Sequence, residues 1–291
     1  MSAVVGRFAP TPSGPLHFGS VVTAVGSFLD ARAQGGRWLL RIDDLDPPRI
    51  ETGASEHILA TLEALGLEWD GEVVYQSRRG AAYRHAVERL ASADLIYPCS
   101  CSRREIGVGP YPGTCRDSAP PPDARLAWRV RVDDLAVTID DCLQGHYTQR
   151  LASHCGDFVI LRADDVTAYH LAVVVDDAWQ GVTHITRGSD LLESTPQQVY
   201  LQRLLGVPTP RYAHLPVVID EHGDKLSKQS HAPAVSPANA ALALYQALEF
   251  LALTPPRALR GAPCTELLAW ALPRWRLAAI APQARAYRFQ S

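Results

Sequence analysis

Arg7-Phe8-Ala9-Pro10-Thr11-Pro12-Ser13-Gly14-Pro15-Leu16-His17-Phe18-Gly19-Ser20 follows the short apolar run Ala3-Val4-Val5. The run fits a buried strand, and the prolines with Gly14 then force an extended turn. Over residues 17–33 the small and apolar residues Val21, Val22, Ala24, Val25, Phe28 and Leu29 recur at helical spacing. Strand, Pro/Gly loop and helix follow one another, with His17 and Gly19 in the first helical turn. A helix N-terminus offers unpaired N–H groups and a positive dipole end, a natural seat for phosphate. Gly19 has no side chain, so a flat base can approach the backbone there. His17 can donate to a phosphate oxygen. Taken alone, the segment also reads as a loop-to-helix junction with an incidental histidine.

The far end of the chain adds a second signal. Arginine carries nearly all the positive charge, and the only two lysines, Lys225 and Lys228, sit together in Asp224-Lys225-Leu226-Ser227-Lys228-Gln229. Guanidinium is a rigid fork, whereas an ammonium on a flexible stem is a compact, movable point charge. Placing both lysines three residues apart points to ammonium chemistry. A solvated charged loop is the alternative for the pair alone.

Together the segments resemble the paired signatures of class I aminoacyl-tRNA synthetases. His17-Phe18-Gly19-Ser20 is similar to the HIGH element with its last His replaced, and Lys225-Leu226-Ser227-Lys228-Gln229 to the KMSKS element. Residues 7–14 with Leu16-His17 resemble the glutamyl/glutaminyl branch. So do Arg41-Ile42-Asp43-Asp44-Leu45-Asp46-Pro47-Pro48-Arg49 and Ile185-Thr186-Arg187-Gly188-Ser189-Asp190-Leu191-Leu192. The resemblance covers about residues 4 to 250, with the motifs in the same order. Full glutamyl-tRNA synthetases continue into a large anticodon-binding domain, but only about sixty residues follow Gln229. Those hold a helical stretch over 237–253 and another over 264–280, enough for a helical cap. The truncated pattern, with Lys225 to Pro233, resembles the glutamyl-Q tRNA(Asp) synthetases. Members of that family activate glutamate with ATP and attach it to queuosine at the wobble position of tRNA-Asp.

General bounds agree. A chain of 291 residues accommodates one large α/β domain with insertions. Apolar runs such as 171–175 are too short to span a bilayer, and the N-terminus lacks a signal peptide pattern, so a cytoplasmic, membrane-free protein is expected. The net charge of −3 does not advertise nucleic acid, so tRNA binding requires a local arginine patch. Arg78-Arg79, Arg84 and Arg89 are candidates, as are Arg274, Arg276, Arg285 and Arg288; each cluster also reads as an ordinary solvated face.

Six cysteines without a signal sequence argue against disulfides. Cys99-Ser100-Cys101 and Cys115 can close a small ring around one structural zinc, which favours four ligands, mostly thiolate. From the residues alone the fourth ligand stays open, with water the first choice. The family pattern Cys-x-Cys, then Tyr-x-x-x-Cys, places Tyr111 there. Buried reduced thiols are the alternative. Cys142 with His146, and His154 with Cys155, fit no standard metal spacing and read as structural.

The layout is α/β, a Rossmann-like doubly wound parallel sheet. It divides into a first catalytic half over 1–96, a zinc-binding insertion over 97–127, a second half with the KMSKS-like loop over 128–235, and a helical region over 236–291. A strand over 38–42 delivers Asp43 and Asp44 to the carboxyl edge of the sheet, where open α/β sheets place ligands. Residues 52–65, 80–93 and 191–205 read as helices. The runs 158–162 and 168–175, broken by Asp164-Asp165, read as a hairpin. Residues 215–219 read as a strand leading to a turn at 220–223.

The resemblance also implies roles. Carboxylate attack on the α-phosphorus, with pyrophosphate leaving, builds charge that donors must meet. Lys228 is assigned to the α-phosphate, with Lys225 in second rank and His17 on the leaving phosphates. Gly19 and Ser20 complete the ATP contacts, and Mg2+ travels with ATP. Arg187 and Arg7 clamp the glutamate side-chain carboxylate, since guanidinium recognises carboxylates in bidentate fashion. Asp43 holds the α-ammonium, Ala9 and Thr11 line the pocket, and Tyr169 closes it. Asp43 departs from the Glu often found in the family and is one methylene shorter. The partners implied are ATP, L-glutamate and queuosine-containing tRNA-Asp, with the protein a monomer. A minimal glutamyl-tRNA synthetase charging the 3′ end of tRNA-Glu is the nearest rival. A non-catalytic tRNA-binding relic is a third reading, opposed by the retention of His17, Arg187 and Lys228.

Overall fold

The computed structural model describes residues 3–219, 234–283 and, as backbone, 285–286. The first half comprises β1 (Val5–Phe8), α1 (Phe18–Arg32), β2 (Arg37–Ile42), α2 (Ala54–Ala64), β3 (Val74–Tyr75) and α3 (Gly80–Ser92). β1, β2 and β3 pair in parallel in that order. β1 starts where the run Ala3-Val4-Val5 ends, because burial begins at Val5 and continues through Arg7 and Phe8.

The middle of the chain is antiparallel. It holds β4 (Ile96–Cys99), α4 (Arg103–Ile106), β5 (Ala127–Val130), β6 (Ala136–Asp141), β7 (Gly145–Arg150), α5 (Leu151–His154) and β8 (Val159–Leu161). β5 lies between β4 and β8, and β6 pairs with β7 in a hairpin. The cysteine loop is therefore slung between the paired strands β4 and β5.

α6 (Tyr169–Trp179) corrects the hairpin expected over 158–175: β8 turns at Asp164-Asp165 and enters a helix, not a second strand. Three consecutive valines favour a strand locally. However, Leu171, Ala172, Val173, Val174, Asp176 and Asp177 are all buried. A helix packed on most sides carries no polar stripe, so its period is hidden.

The second half continues with β9 (His184–Gly188), α7 (Thr195–Leu204), β10 (Arg211–Leu215), β11 (Val218–Ile219), α8 (Ala240–Phe250), α9 (Cys264–Ala271) and β12 (Arg285–Ala286). The single strand read over 215–219 is in fact two, separated at Pro216, which has no N–H for a ladder. β9 and β10 are parallel, and β9 lies beside β1 through Thr183 N–H donating to Val5 O at 2.9 Å. The parallel layer thus runs β3-β2-β1-β9-β10.

α1 packs over this layer and under α8. Gly6 permits the approach, since a Cβ there would sit 2.9 Å from the Ala31 Cβ. One core gathers Phe18, Leu29, Trp38 and Leu40 with Leu244 and Leu248 of α8. A second gathers Ile96, Val130, Ile160, Leu171 and Leu201. Among the described residues, no helix is long and apolar enough to cross a membrane.

Asp176 of α6 ties the second half to the first. Its fully buried carboxylate accepts from Gln76 Nε2 at 2.9 Å and Tyr83 OH at 2.6 Å, and pairs with Arg79. Asp176→Ala should cost about 3–5 kcal/mol by stranding these donors. Chemical denaturation checks this, and a loss within experimental error would show that the pair carries no net stability.

Candidate active site

The carboxyl ends of β1, β2, β9 and β10 surround a cleft of about 610 Å³. His17, Gly19 and Ser20 line it together with Arg7, Ala9, Thr11, Asp43, Tyr169 and Arg187. Every one of these cleft residues named from the sequence meets the others there. Lys225 and Lys228 lie outside the described residues.

His17 is the N-cap of α1: Ser20 N–H donates to its Nδ1 at 3.3 Å, and Ser20 Oγ lies 3.0 Å from its Nε2. The ring thus sits at the helix end that faces the cleft. Leu16 O accepts from Val235 N–H at 2.8 Å, anchoring the loop from below.

The opposite wall is built from buried arginines. Arg7 forks onto Asp177, with Nε–Oδ1 3.2 Å and Nη2–Oδ2 3.3 Å. Arg41 donates through Nε to Asp43 Oδ1 at 2.7 Å and through Nη1 to Asp177 Oδ1 at 2.6 Å and Gln180 Oε1 at 3.0 Å. Arg187 donates through Nε to His214 Nε2 at 3.1 Å, and through Nη2 to Thr195 Oγ1 and Gln198 Oε1, each at 2.8 Å. Arg41 Nη2 and Arg187 Nη1 are buried without a protein acceptor. Both residues line the cleft. A buried guanidinium nitrogen left without an acceptor is costly, so a cleft carrying two of them suits an anionic ligand.

The carboxylates differ. Asp177 is held below its ordinary range because Arg7 and Arg41 outweigh the effect of burial. Asp43 is pushed up to about 6: burial dominates, and Arg41 offsets only part of it. Tyr169, at the first turn of α6, remains 39% exposed at the rim. Arg41, Asp177, His214, Thr195 and Gln198 are additions to the residues named from sequence. Arg41 stood inside a quoted motif, but the others are single residues without local pattern.

The arginine patches are partly committed to the fold. Arg79 pairs with Asp176 and stacks 3.8 Å over Trp179, and Arg89 Nη2 donates to Leu205 O at 3.2 Å. Arg274 and Arg276 donate to nearby backbone carbonyls.

Away from the cleft, the Sγ atoms of Cys99, Cys101 and Cys115 lie within 4.8 Å of one another, a group able to hold a metal. Tyr111 OH is 3.3 Å from Cys99 Sγ and 3.5 Å from Cys101 Sγ, and accepts from Cys115 N–H at 2.9 Å. A tetrahedral zinc with thiolates at about 2.3 Å has ligand–ligand edges of roughly 3.8 Å, so the spacing fits. Arg129 adds a compensating cation. Its Nε donates to Cys99 Sγ at 3.2 Å, and its guanidinium lies 3.9 Å over the Tyr111 ring. Cys115 is drawn down to about 6: burial opposes this, and hydrogen bonds from Tyr111, the Ser100 backbone and the two thiols outweigh it.

A helix N-terminus facing the carboxyl edge of a parallel sheet, with an antiparallel insertion between the halves, is the layout of a doubly wound nucleotide-binding α/β domain. The family model for the catalytic domain of class I (E and Q) tRNA synthetases matches residues 3–108 and 122–243. The glutamyl-Q tRNA(Asp) synthetase of Thiobacillus denitrificans is 52% identical over 95% of this chain and 94% of its own. That of Aromatoleum aromaticum is 53% identical over 97% and 92%. Among solved structures, glutamate-tRNA synthetase from Elizabethkingia anophelis superposes with a TM-score of 0.83 at 22% identity, over 99% of this chain and 68% of that one. The chain belongs to the class I (E and Q) tRNA synthetases and, within them, to the glutamyl-Q tRNA(Asp) synthetase family.

The raised Asp43 carboxyl has a consequence for stability. Unfolded, it titrates near 3.8, and folded near 6, so the folded protein holds the extra proton between these values. Its stabilising contribution is greatest at low pH and is lost as pH rises through 6. Asp43→Asn, permanently neutral, should therefore raise Tm more at about pH 7.5 than at about pH 5. Thermal unfolding at the two pH values checks this, and an equal or reversed change would mean that Asp43 does not titrate with a raised pKa between them.

Proposed function

We propose that the chain activates L-glutamate with ATP and transfers the glutamyl group to queuosine at the wobble position of tRNA-Asp. The observation that carries this reading is one cleft holding both a buried, acceptor-less Arg187 Nη1 and the Asp43 carboxyl. Such a pair suits a ligand with a carboxylate at one end and an ammonium at the other. Membership of the glutamyl-Q tRNA(Asp) synthetase family supports the choice of acceptor.

Arg187 and Arg7 hold the side-chain carboxylate, so only the α-carboxylate is presented to ATP. Asp43 receives the α-ammonium, and the incoming cation offsets the cost of burying its charge. Ala9 and Thr11 line the bound chain, and Tyr169 closes the rim. An α-carboxylate oxygen attacks the α-phosphorus, the bond to the bridging oxygen breaks, and pyrophosphate leaves. His17, Gly19 and Ser20 at the N-terminus of α1 receive the nucleotide. Lys228 meets the charge on the α-phosphate and Lys225 supports it. Magnesium accompanies the phosphates as their counter-ion. A hydroxyl of the queuosine cyclopentenediol then attacks the adenylate carbonyl, and AMP leaves with the bonding electrons. The product is an ester on a base. The protein acts in the cytoplasm as a monomer.

Cys99, Cys101, Cys115 and Tyr111 hold one zinc, whose contribution is a cross-link that fixes the loop between β4 and β5. Elemental analysis should find about one zinc per chain without added metal, and Tyr111→Phe should weaken retention against a chelator. Zinc-free protein with an unchanged Tm would return these cysteines to packed thiols.

The acceptor is tested with trimmed tRNA. Labelled glutamate should transfer to tRNA-Asp whose CCA end has been removed enzymatically, and not to tRNA-Asp lacking queuosine. Periodate is unsuitable because it also cleaves the cyclopentenediol. If trimming abolishes transfer, or tRNA-Glu is the better acceptor, the protein is a small conventional glutamyl-tRNA synthetase.

A further inference from the structure

Arg187 is held by three side chains. Its partners come from two other elements, with a third behind them. β9 and β10 run in parallel register with Arg187 opposite His214, so the two side chains share one face. His214 is completely buried. Its Nδ1 lies 2.6 Å from Asp141 Oδ2, and its Nε2 accepts from Arg187 Nε at 3.1 Å. Asp141, at the end of β6, is pinned in turn: its Oδ1 accepts from the N–H groups of Leu143 at 3.0 Å, Gln144 at 2.9 Å and His214 at 3.1 Å.

This set of bonds fixes the protons. A carboxylate accepting from so many donors is ionised, so the proton of a neutral imidazole sits on Nδ1 and the lone pair on Nε2. Arg187 Nε–H then has an acceptor. Thr195 Oγ1 accepts from Arg187 Nη2 and sends its own proton to Leu191 O at 2.9 Å, so it makes no demand on the His214 Nε2 lone pair 3.1 Å away. Gln198 Oε1 takes the remaining bond to Nη2. Nη1 alone is left buried without an acceptor.

We propose that Asp141 and His214 are positioning residues for substrate recognition: Asp141 sets the His214 tautomer, and His214 holds Arg187 so that Nη1 is offered to the side-chain carboxylate of the amino-acid substrate. This rests on Arg187 being the carboxylate clamp of the proposed reaction. With the opposite tautomer, Nε2–H would donate to Thr195 Oγ1, 3.1 Å away, and meet Arg187 Nε–H donor to donor, so the Arg187 Nε bond would be lost. The logic is that of a buried Asp orienting a histidine in a hydrolase triad, applied here to binding.

The test compares near-isosteric variants in glutamate-dependent ATP–pyrophosphate exchange with tRNA-Asp present. Asp141→Asn can donate to Nδ1 and so favours the wrong tautomer. His214→Asn keeps a donor toward Asp141 but loses the acceptor for Arg187, whereas His214→Gln can place its amide oxygen where Nε2 stood. Asp141→Asn and His214→Asn should each raise the KM for glutamate on the order of 10- to 100-fold, with a smaller change in kcat. His214→Gln should recover most of that loss, and the KM for ATP should stay put in all three. Tm measured alongside separates recognition from folding: a role in packing alone would move Tm without splitting the two KM values. An unchanged glutamate KM in Asp141→Asn and His214→Asn, or equal loss in the Gln and Asn variants, overturns the relay. If wild-type protein shows no glutamate-dependent exchange, the proposed function itself fails, an outcome distinct from either.

Discussion

Asp177 is the contact on which the structure turns. It is one carboxylate on α6 that receives Arg7 from β1 and Arg41 from β2, so a helix of the second half is bolted to two strands of the first. Burying three ions is expensive, and their attraction repays the desolvation only when nearly every donor and acceptor is used. Arg7 meets that demand with a two-point fork, and Arg41 with bonds to Asp43, Asp177 and Gln180. What the cluster leaves unsatisfied, Arg41 Nη2, belongs to a residue that lines the cleft. The same contact therefore joins the halves and determines which charges a ligand meets.

The two buried aspartates beside Arg41 show how placement separates like groups. Asp177 sits between two guanidiniums and is held ionised, while Asp43 has a single oxygen on Arg41 Nε and is pushed up toward neutrality. Environments that drive two carboxyls apart assign them different work. Asp177 is the permanent counter-ion of the frame. Asp43 lacks a full partner, so on the proposed reading an incoming ammonium gains most there. The shorter side chain relative to glutamate is compatible with this, because Pro10 O accepts from the Asp43 N–H at 3.0 Å and draws that strand end against the Pro/Gly loop.

Much of this was legible in the sequence, and what was hidden has physical causes. The strand–loop–helix at the N-terminus, the helices α2 and α3, and the gathering of nine cleft residues all follow from motifs whose members are close in the chain. α6 was not legible, since burial on most sides erased its polar stripe and its valines favour extended backbone. β10 was not legible either, because Arg211-Tyr212-Ala213-His214 alternates weakly and His214 is buried for a partner rather than for apolarity. Asp141, Asp177, His214 and Arg129 each act on a residue 27 or more positions away. No local spacing announces a residue whose partner arrives through the fold. The lysine pair carried weight as a motif, and its placement lies outside the described residues.

The unequal use of arginine and lysine follows from where cations must sit. Arg7, Arg41, Arg129 and Arg187 are all buried to within 7% exposure. Arg7 sets its fork on one carboxylate, and the other three use theirs in at least two directions, onto carboxylates, a thiol, a ring face or a histidine. Guanidinium stays charged, is weakly hydrated and loses little freedom per bond formed, so it tolerates such burial better than an ammonium. An ammonium suits the opposite task, a compact charge on a flexible stem that can follow phosphates as a bond is made and broken. A chain whose fold already depends on four buried guanidiniums gains nothing from lysine in its frame. Lysine is accordingly absent from the described residues, and the chain's two, Lys225 and Lys228, stand together in one short stretch, as the proposed phosphate chemistry would have them.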